Sequence, residues 1–73
     1  MKFITVVRFP NGSWSWGGSV SDPDYSQCEV YVVPFISDSD AKKKAQAARS
    51  RIVAKALPLP SQLTPYRHPS VSK

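Results

Sequence analysis

Residues 3–16 constrain the fold more than any other part of the sequence. They spell FITVVRFPNGSWSW, in which two segments of alternating character flank Pro10-Asn11-Gly12. Proline fixes φ, while asparagine and glycine tolerate a positive φ, so this triplet is typical of the turn of a β-hairpin. A lone hairpin is marginally stable in water, and both of its tryptophans fall on one face. We therefore expect the rest of the chain, or a partner, to cover this hairpin.

The first strand of the predicted hairpin has two faces, because strand side chains point alternately to opposite sides. One face carries Phe3, Thr5, Val7 and Phe9. The other face carries Lys2, Ile4, Val6 and Arg8. Both faces are largely apolar. We expect the phenylalanine face to pack inward, which leaves the long side chains of Lys2 and Arg8 able to reach a partner.

Two further elements follow the hairpin. The segment CEVYVVPF, residues 28–35, alternates and is rich in β-branched residues, which predicts a third strand that ends near Pro34. Residues 37–40 offer several N-cap side chains, and residues 41–57 are rich in good helix formers, which predicts a helix that Pro58 ends. A stripe on this helix is small enough to lie close to the sheet: Ala41, Ala45, Ala48, Ile52 and Ala56.

The predicted fold is α+β: a small three-stranded antiparallel sheet, formed by the hairpin and the third strand, packed by one C-terminal amphipathic basic helix. These elements form a single domain over residues 1–57. Residues 58–73 contain four prolines, which forbid a helix and predict an extended, flexible tail. Five side chains that a pure spacer would lack leave open that this tail becomes ordered on a partner: Leu59, Leu63, Tyr66, Arg67 and Val71.

Charge is unevenly distributed along the chain. Residues 1–35 carry two basic and three acidic side chains, a net charge of −1, whereas residues 36–73 carry eight and two, a net charge of +6. This asymmetry favours an anionic partner for the second half, either nucleic acid or an acidic protein surface. The alternative is a solvated helix face that keeps a small domain soluble. The candidate nucleic-acid-facing residues are Lys42, Lys43, Lys44, Arg49, Arg51, Lys55 and Arg67.

Residues with catalytic chemistry are few. His68 is the only histidine, so a histidine-based triad or a multi-histidine metal site cannot be assembled within one chain. Cys28 falls in a predicted strand, where a small buried residue is more common than a nucleophile. The carboxylates at positions 22, 24, 38 and 40 suit turns and a helix cap. We expect no enzyme activity, cofactor, metal or small-molecule substrate, and no run long enough to span a membrane.

Several stretches of the sequence carry a resemblance. From MKFITVVRFPNGSWSWGG through EVYVVPF and KKKAQAARSR to the proline-rich end, the chain resembles the small transcription regulators of lytic phages that infect xanthomonads. The resemblance covers the full length and implies a protein that binds the host RNA polymerase, at the N-terminal region of the β′ subunit near the RNA exit channel. It further implies opposition to σ factor at host promoters and antitermination at intrinsic terminators, alongside the elongation factor NusA.

This resemblance gives the predicted surfaces specific roles. With the polymerase as the partner, the β1 face opposite the phenylalanines supplies the predicted polymerase-binding residues, which are Lys2, Ile4, Val6 and Arg8. The basic helix would lie beside emerging RNA, whose phosphates it could contact. We expect a monomer in the cytoplasm of the infected bacterial host. Two alternatives stay open: a free-standing nucleic-acid-binding protein, in which Trp14, Trp16 and Tyr31 stack bases, and a phage protein that inhibits an unrelated host factor.

Overall fold

The computed structural model describes residues 2–69 as a four-stranded mixed sheet with one α-helix on one face. The elements, in chain order, are β1 (Phe3–Arg8), β2 (Trp14–Trp16), a 3₁₀ turn (Pro23–Tyr25), β3 (Glu29–Pro34), α1 (Asp38–Ala54) and β4 (Tyr66–Arg67). The strand order is β2-β1-β3-β4. The α+β class is confirmed. The three predicted strands pair antiparallel, but the predicted sheet is incomplete, because β4 joins it as a fourth strand parallel to β3.

The hairpin forms as its turn residues predict. β1 and β2 pair antiparallel, with Arg8 opposite Trp14. In the turn, Gly12 adopts a φ of 91°, and its N–H donates to the Phe9 carbonyl at 2.8 Å. Residues with a side chain rarely adopt this φ, so the glycine stabilises the turn and, with it, the register of the two strands.

α1 spans Asp38–Ala54 rather than the predicted residues 41–57. At its start, the Ser37 hydroxyl accepts a hydrogen bond from the backbone N–H of Asp40 at 3.2 Å, as expected of an N-cap. At its end, Ala56 adopts a left-handed φ of 55°, and the Leu57 N–H donates to the Ile52 carbonyl at 3.0 Å. This pattern is a Schellman motif, which ends the helix before Pro58 is reached.

Both faces of the sheet are covered, each by a different part of the chain. The face beneath α1 holds the buried residues Val6, Tyr31, Val33, Ala41, Ala45 and Ala48. The opposite face holds the buried residues Val7, Tyr25, Cys28 and Val30. Three alanines of the predicted stripe are therefore in the core, where their small side chains bring α1 close to the sheet.

The structure corrects the expected direction of packing. α1 covers the β1 face that carries Ile4 and Val6, whereas the loop between β2 and β3 covers the face that carries Val7. Phe3, which was expected to pack inward, is 45% exposed. Both faces of β1 are apolar, so the alternation of side chains does not decide which of them the helix covers.

The proline-rich segment returns to the sheet. β4 pairs with β3, with Tyr66 opposite Tyr31, and it lies at the edge of the sheet, where neighbouring prolines are tolerated. Pro60 is buried, and the Gln62 side-chain amide donates to the backbone carbonyl of Asp22. Part of the predicted extended tail thus forms an edge strand of the sheet. The boundary that we expected between the domain and the tail, after residue 57, lies in the connection between α1 and β4. The end of that tail, residues 70–73, lies outside the described residues.

Candidate functional site

Two of the four residues assigned to protein binding lie beneath α1. Val6 is fully buried, and Ile4 is half-buried against the same core. Arg8 is half-buried and paired with Glu29, while Lys2 is exposed. α1 therefore covers the apolar centre of the predicted binding face, while the role of these residues in polymerase binding stays a prediction. Lys2 remains accessible to a partner.

Glu29, at the start of β3, is the shared partner of three polar side chains. Its Oε1 accepts hydrogen bonds from Nε of Arg49 at 2.9 Å and from the Tyr31 hydroxyl at 2.7 Å. Its Oε2 lies 3.5 Å from Nη1 of Arg8. Only 16% of the Glu29 side chain is exposed, and a carboxylate this buried needs such partners. One carboxylate thus positions two guanidinium groups, which gives the three side chains a net charge of +1.

The Tyr31 hydroxyl stays in its protonated, donating form. Burial, above all, together with the hydrogen bond to Glu29 and the charge of that carboxylate, raises the pKa of Tyr31 well above its ordinary value. The nearby guanidinium groups of Arg49 and Arg8 oppose this shift only in part. Tyr31 therefore helps to fix the position of the carboxylate that both arginines share.

An open cleft of about 400 Å³ lies beside this cluster. Its walls are formed by Arg8, Trp14, Gln46, Arg49 and Ser50. The hairpin supplies the first two of these residues and α1 supplies the other three. The cleft therefore combines two guanidinium groups, an indole, an amide and a hydroxyl, which can bind a phosphate, stack on a base and form hydrogen bonds.

The three aromatic residues considered for base stacking have different surroundings. Tyr31 is fully buried. The indole Nε1 of Trp16 donates to the backbone carbonyl of Asp38 at 3.0 Å, which ties β2 to the start of α1. Trp14 packs against Tyr31, with ring centroids 5.8 Å apart, and also lines the cleft. Of the three, Trp14 is the residue that the structure places in a candidate binding site.

The predicted nucleic-acid-facing residues divide into paired and unpaired cations. Arg49 is paired with Glu29, and Lys44 is paired with Asp40 one turn earlier in α1. Within residues 2–69, no ion pair is formed by the other five, which are Lys42, Lys43, Arg51, Lys55 and Arg67. All of these except Lys42, which is half-buried, are exposed. We call the exposed cations of the helical segment, Lys43, Arg51 and Lys55, the outer basic surface.

Large apolar side chains are exposed where β1 begins and β3 ends. Ile36 is 74% exposed, and Phe3 and Phe35 are also exposed. These residues are neighbours, because Phe3 pairs with Pro34 and the Phe35 N–H donates to the Lys2 carbonyl at 2.8 Å. We call Phe3, Phe35 and Ile36 the apolar end patch. Exposed apolar side chains that lie close together along the chain fold, beside a lysine, make this end of the sheet a candidate surface for binding a protein.

Sequence reasoning missed several residues of these surfaces. Glu29 received no role, although it is the one charged residue in an otherwise apolar strand and falls on the same face as Tyr31. Gln46 and Ser50 carry no signal of their own, because the sequence does not reveal which flank of α1 meets the hairpin. Ile36 could have been found, since the apolar run continues beyond Pro34, where the strand ends.

Cys28 and the Asp22 carboxylate have structural roles. Cys28 is buried, and burial raises the pKa of its thiol, which disfavours the nucleophilic thiolate. The Asp22 carboxylate accepts from the Asp24 N–H at 2.9 Å and caps the 3₁₀ turn. Among residues 2–69 no three histidine, cysteine or acidic side chains form a metal-binding group, and no helix is long and apolar enough to cross a bilayer. The expected lack of enzyme activity stays a prediction.

No family model, curated protein or solved structure matches this chain. The described part of the chain offers three surfaces to a binding partner: the cleft, the outer basic surface and the apolar end patch.

Proposed function

We propose that this protein is a small phage transcription regulator that binds the RNA polymerase of its bacterial host. It would bind the N-terminal region of the β′ subunit near the RNA exit channel. There it inhibits host promoters by opposing σ factor, and it acts as an antiterminator at intrinsic terminators, alongside NusA. The sequence resemblance supports the choice of partner. The structural observation that carries the proposal is the outer basic surface, whose cations form no ion pair within residues 2–69.

The apolar end patch is the best-supported surface for the polymerase contact. It combines exposed apolar area with the neighbouring Lys2, which was already assigned to polymerase binding. Apolar and aromatic side chains supply most of the affinity at protein interfaces, and a rim lysine adds to the rate of association. We therefore move the proposed contact from Ile4 and Val6 to this patch and retain Lys2.

The outer basic surface supports a contact with emerging RNA. Unpaired lysines and arginines attract phosphates through a long-range field, and they release counterions when they bind. A regulator that holds or crowds the transcript at the exit channel would oppose the formation of a terminator hairpin. On a protein that also binds the polymerase, this surface would thus allow the polymerase to read through the terminator.

A second candidate function is a nucleic-acid-binding protein that needs no polymerase. The observation that favours it is the cleft, in which Trp14 lies beside Arg8 and Arg49. An aromatic ring beside cationic groups is common in proteins that bind single strands. The two functions differ in the partner that this protein retains when nucleic acid is removed.

Substitution of the apolar end patch tests the proposed function. Ile36→Asp should weaken affinity for purified host polymerase by about tenfold, because it puts a charge at the centre of the proposed contact. The matched control is Leu63→Asp, which makes the same kind of change at a residue that is 93% exposed and outside the patch. Equal affinity of the two variants for the polymerase would contradict this placement of the interface.

A terminator-readthrough assay tests the role of the outer basic surface. A variant with glutamine at positions 43, 51 and 55 should lose readthrough on a template with an intrinsic terminator, while it still binds the polymerase. The control is Lys44→Gln, because Lys44 is already paired with Asp40. Full readthrough by the triple variant would show that these cations serve solubility alone.

A further inference from the structure

We infer that the cleft between the hairpin and α1 binds single-stranded RNA, with one base stacked on Trp14 and a neighbouring phosphate held by Arg8 and Arg49. The inference deepens the proposed function, on which it rests for the choice of RNA, by naming a site that would hold the transcript. It also assigns a ligand to two arginines that the sequence placed in separate surfaces.

Arg8 and Arg49 are held in positions that leave them able to bind a phosphate. Arg49 uses Nε for its hydrogen bond to Glu29, and Arg8 contacts the other carboxylate oxygen through Nη1. Each guanidinium therefore keeps N–H donors for a further acceptor. Because one carboxylate is shared by two cations, the cluster is one negative charge short of neutrality. The guanidinium groups that carry the excess positive charge are already held by Glu29. A phosphate oxygen that binds them therefore costs less conformational entropy.

Trp14 provides the surface for a base. It is half-buried, packs against Tyr31 and forms one wall of the cleft. An indole held in this way loses little side-chain freedom when a base stacks on it. Stacking on an aromatic side chain does not depend on the identity of the base, as a contact with a passing transcript requires.

The cleft suits a chain better than a free ion. Lys42, Gln46 and Arg49 share one flank of α1, because residues i, i+4 and i+7 lie on the same side of a helix. Lys42 lies about 10 Å from Arg49 along the helix axis, at 1.5 Å per residue. A strand that leaves the cleft along this flank would therefore meet a further cation. Gln46 and Ser50 can form hydrogen bonds with base edges and with the 2′-hydroxyl that distinguishes RNA.

Nuclear magnetic resonance offers a direct test, because the two tryptophans report on different places. Oligo(U) RNA should shift the indole N–H signal of Trp14, which lines the cleft. The Trp16 indole N–H donates to Asp38 and should change little, so it serves as an internal control. The Nε signal of Arg49 should shift together with that of Trp14. Equal shifts of both indoles, or shifts of neither, would overturn the inference.

A pair of charge variants tests the site without touching the core. Gln46→Glu places a carboxylate in the cleft, whereas Gln27→Glu makes the same substitution at an exposed residue of the loop between β2 and β3, which does not line the cleft. Both variants have the same net charge. Gln46→Glu should weaken oligo(U) binding on the order of tenfold and lower the salt dependence by ~0.7, the loss of about one phosphate contact to a single strand. Equal weakening by both variants would mean that RNA binds through diffuse charge only, and would overturn the inference.

Substitutions of Trp14 test the stacked base. Trp14→Leu keeps an apolar side chain against Tyr31 but removes the ring, and it should weaken oligo(U) binding on the order of tenfold. Trp14→Phe should restore most of the affinity, because it restores an aromatic ring. If both variants have the same melting temperature, a merely structural role of Trp14 would not explain this difference in affinity. If Trp14→Leu binds oligo(U) with the affinity of the parent, the inference is overturned. If that variant does not fold, the shifts of the two indole N–H signals in the parent protein decide between stacking and no stacking.

The ligand and the function can be tested apart. Uridine monophosphate should bind much more weakly than oligo(U), because it meets one site only, and equal affinity would reassign the cleft to free nucleotides. If polymerase binding persists but the cleft binds no RNA, this inference fails and the proposed function stands. If the cleft binds RNA but the protein binds no polymerase, the proposed function fails and the cleft retains its ligand.

Discussion

The two faces of the sheet are closed in different ways. α1 covers one face with three fully packed alanines, and a cluster around Glu29 sits at the border of that core. The loop between β2 and β3 covers the other face, where Tyr25 is its largest buried side chain. The helical face is stabilised by a repeated pattern, whereas the loop face depends on one aromatic residue.

Tyr25 makes several of the contacts that hold the loop against the sheet. Its hydroxyl donates to the Gly17 carbonyl at 2.8 Å, and its ring meets Phe9 edge-to-face at a centroid distance of 6.4 Å. Gly18 has a left-handed φ of 74°, and a Cβ at this position would lie 2.9 Å from the tyrosine hydroxyl. The loop therefore folds around the ring closely enough to require a glycine.

The largest expected effect is on the helical face. Ala45→Asp would bury an unpaired charge at a position with no exposed surface, which should cost at least about 4 kcal/mol and unfold the domain. Ala47→Asp is the matched control, because Ala47 is exposed on the same helix and its substitution should cost less than about 1 kcal/mol. Thermal unfolding followed by circular dichroism measures both. Similar melting temperatures would mean that α1 does not pack on this face.

Removal of the ring should weaken the loop face nearly as much. We expect Tyr25→Ala to cost about 3 kcal/mol, because a large side chain is lost from a small core. Tyr25→Phe should cost about 1 kcal/mol, because it removes only the hydrogen bond to Gly17. Urea unfolding measures both differences. A loss of less than about 1 kcal/mol in Tyr25→Ala would show that the loop closes this face by other contacts.

The contrast between the faces also shows what the sequence can predict. The hairpin, the third strand and the alanine stripe follow from periodicity and turn chemistry, which are local. The choice of face for α1 does not, because Val6 and Val7 are equally apolar and fully buried. β4 has only two residues and depends on pairing with Tyr31 and Val32, which are far away in the sequence.

The candidate site follows the same rule. Arg8 and Arg49 were each singled out by charge, but the sequence assigned them to different partners. Glu29 joins them only after β1, β3 and α1 have been brought together. A site formed by side chains from three elements has no local signature, so it could not be predicted before the packing was known.

The two buried tyrosines should give the faces different responses to alkali. Burial raises the pKa of both Tyr25 and Tyr31, and the bond to Glu29 adds to the shift of Tyr31. The unfolded chain loses these protons around pH 10, the ordinary value, whereas the folded chain loses them only at higher pH. The free energy of unfolding therefore falls as pH rises, by up to about 1.4 kcal/mol per pH unit for each tyrosine.

Removal of each hydroxyl separates these contributions. Tyr31→Phe should flatten the decline of stability above pH 10 more than Tyr25→Phe does, although it also removes a hydrogen bond to Glu29. Urea unfolding at a series of alkaline pH values measures both slopes. The same slope in Tyr31→Phe and in the parent would contradict the burial of this hydroxyl beneath α1.

The smallest expected effect is at the end of α1. Ala56 adopts a left-handed conformation that costs an alanine about 1 kcal/mol. Ala56→Gly should therefore raise the free energy of unfolding by up to about 1 kcal/mol, because glycine is the preferred residue at this position of a Schellman motif. Chemical denaturation measures the gain. A loss of stability would mean that the helix does not end in this way.

Binding to purified RNA polymerase, before and after nuclease treatment, tests the proposed function most directly. The fluorescently labelled protein would be titrated with polymerase core enzyme from a xanthomonad. We predict saturable binding that survives nuclease and that Ile36→Asp weakens. No binding would contradict the proposed function, and binding that disappears with the nucleic acid would leave a free-standing nucleic-acid-binding protein in its place.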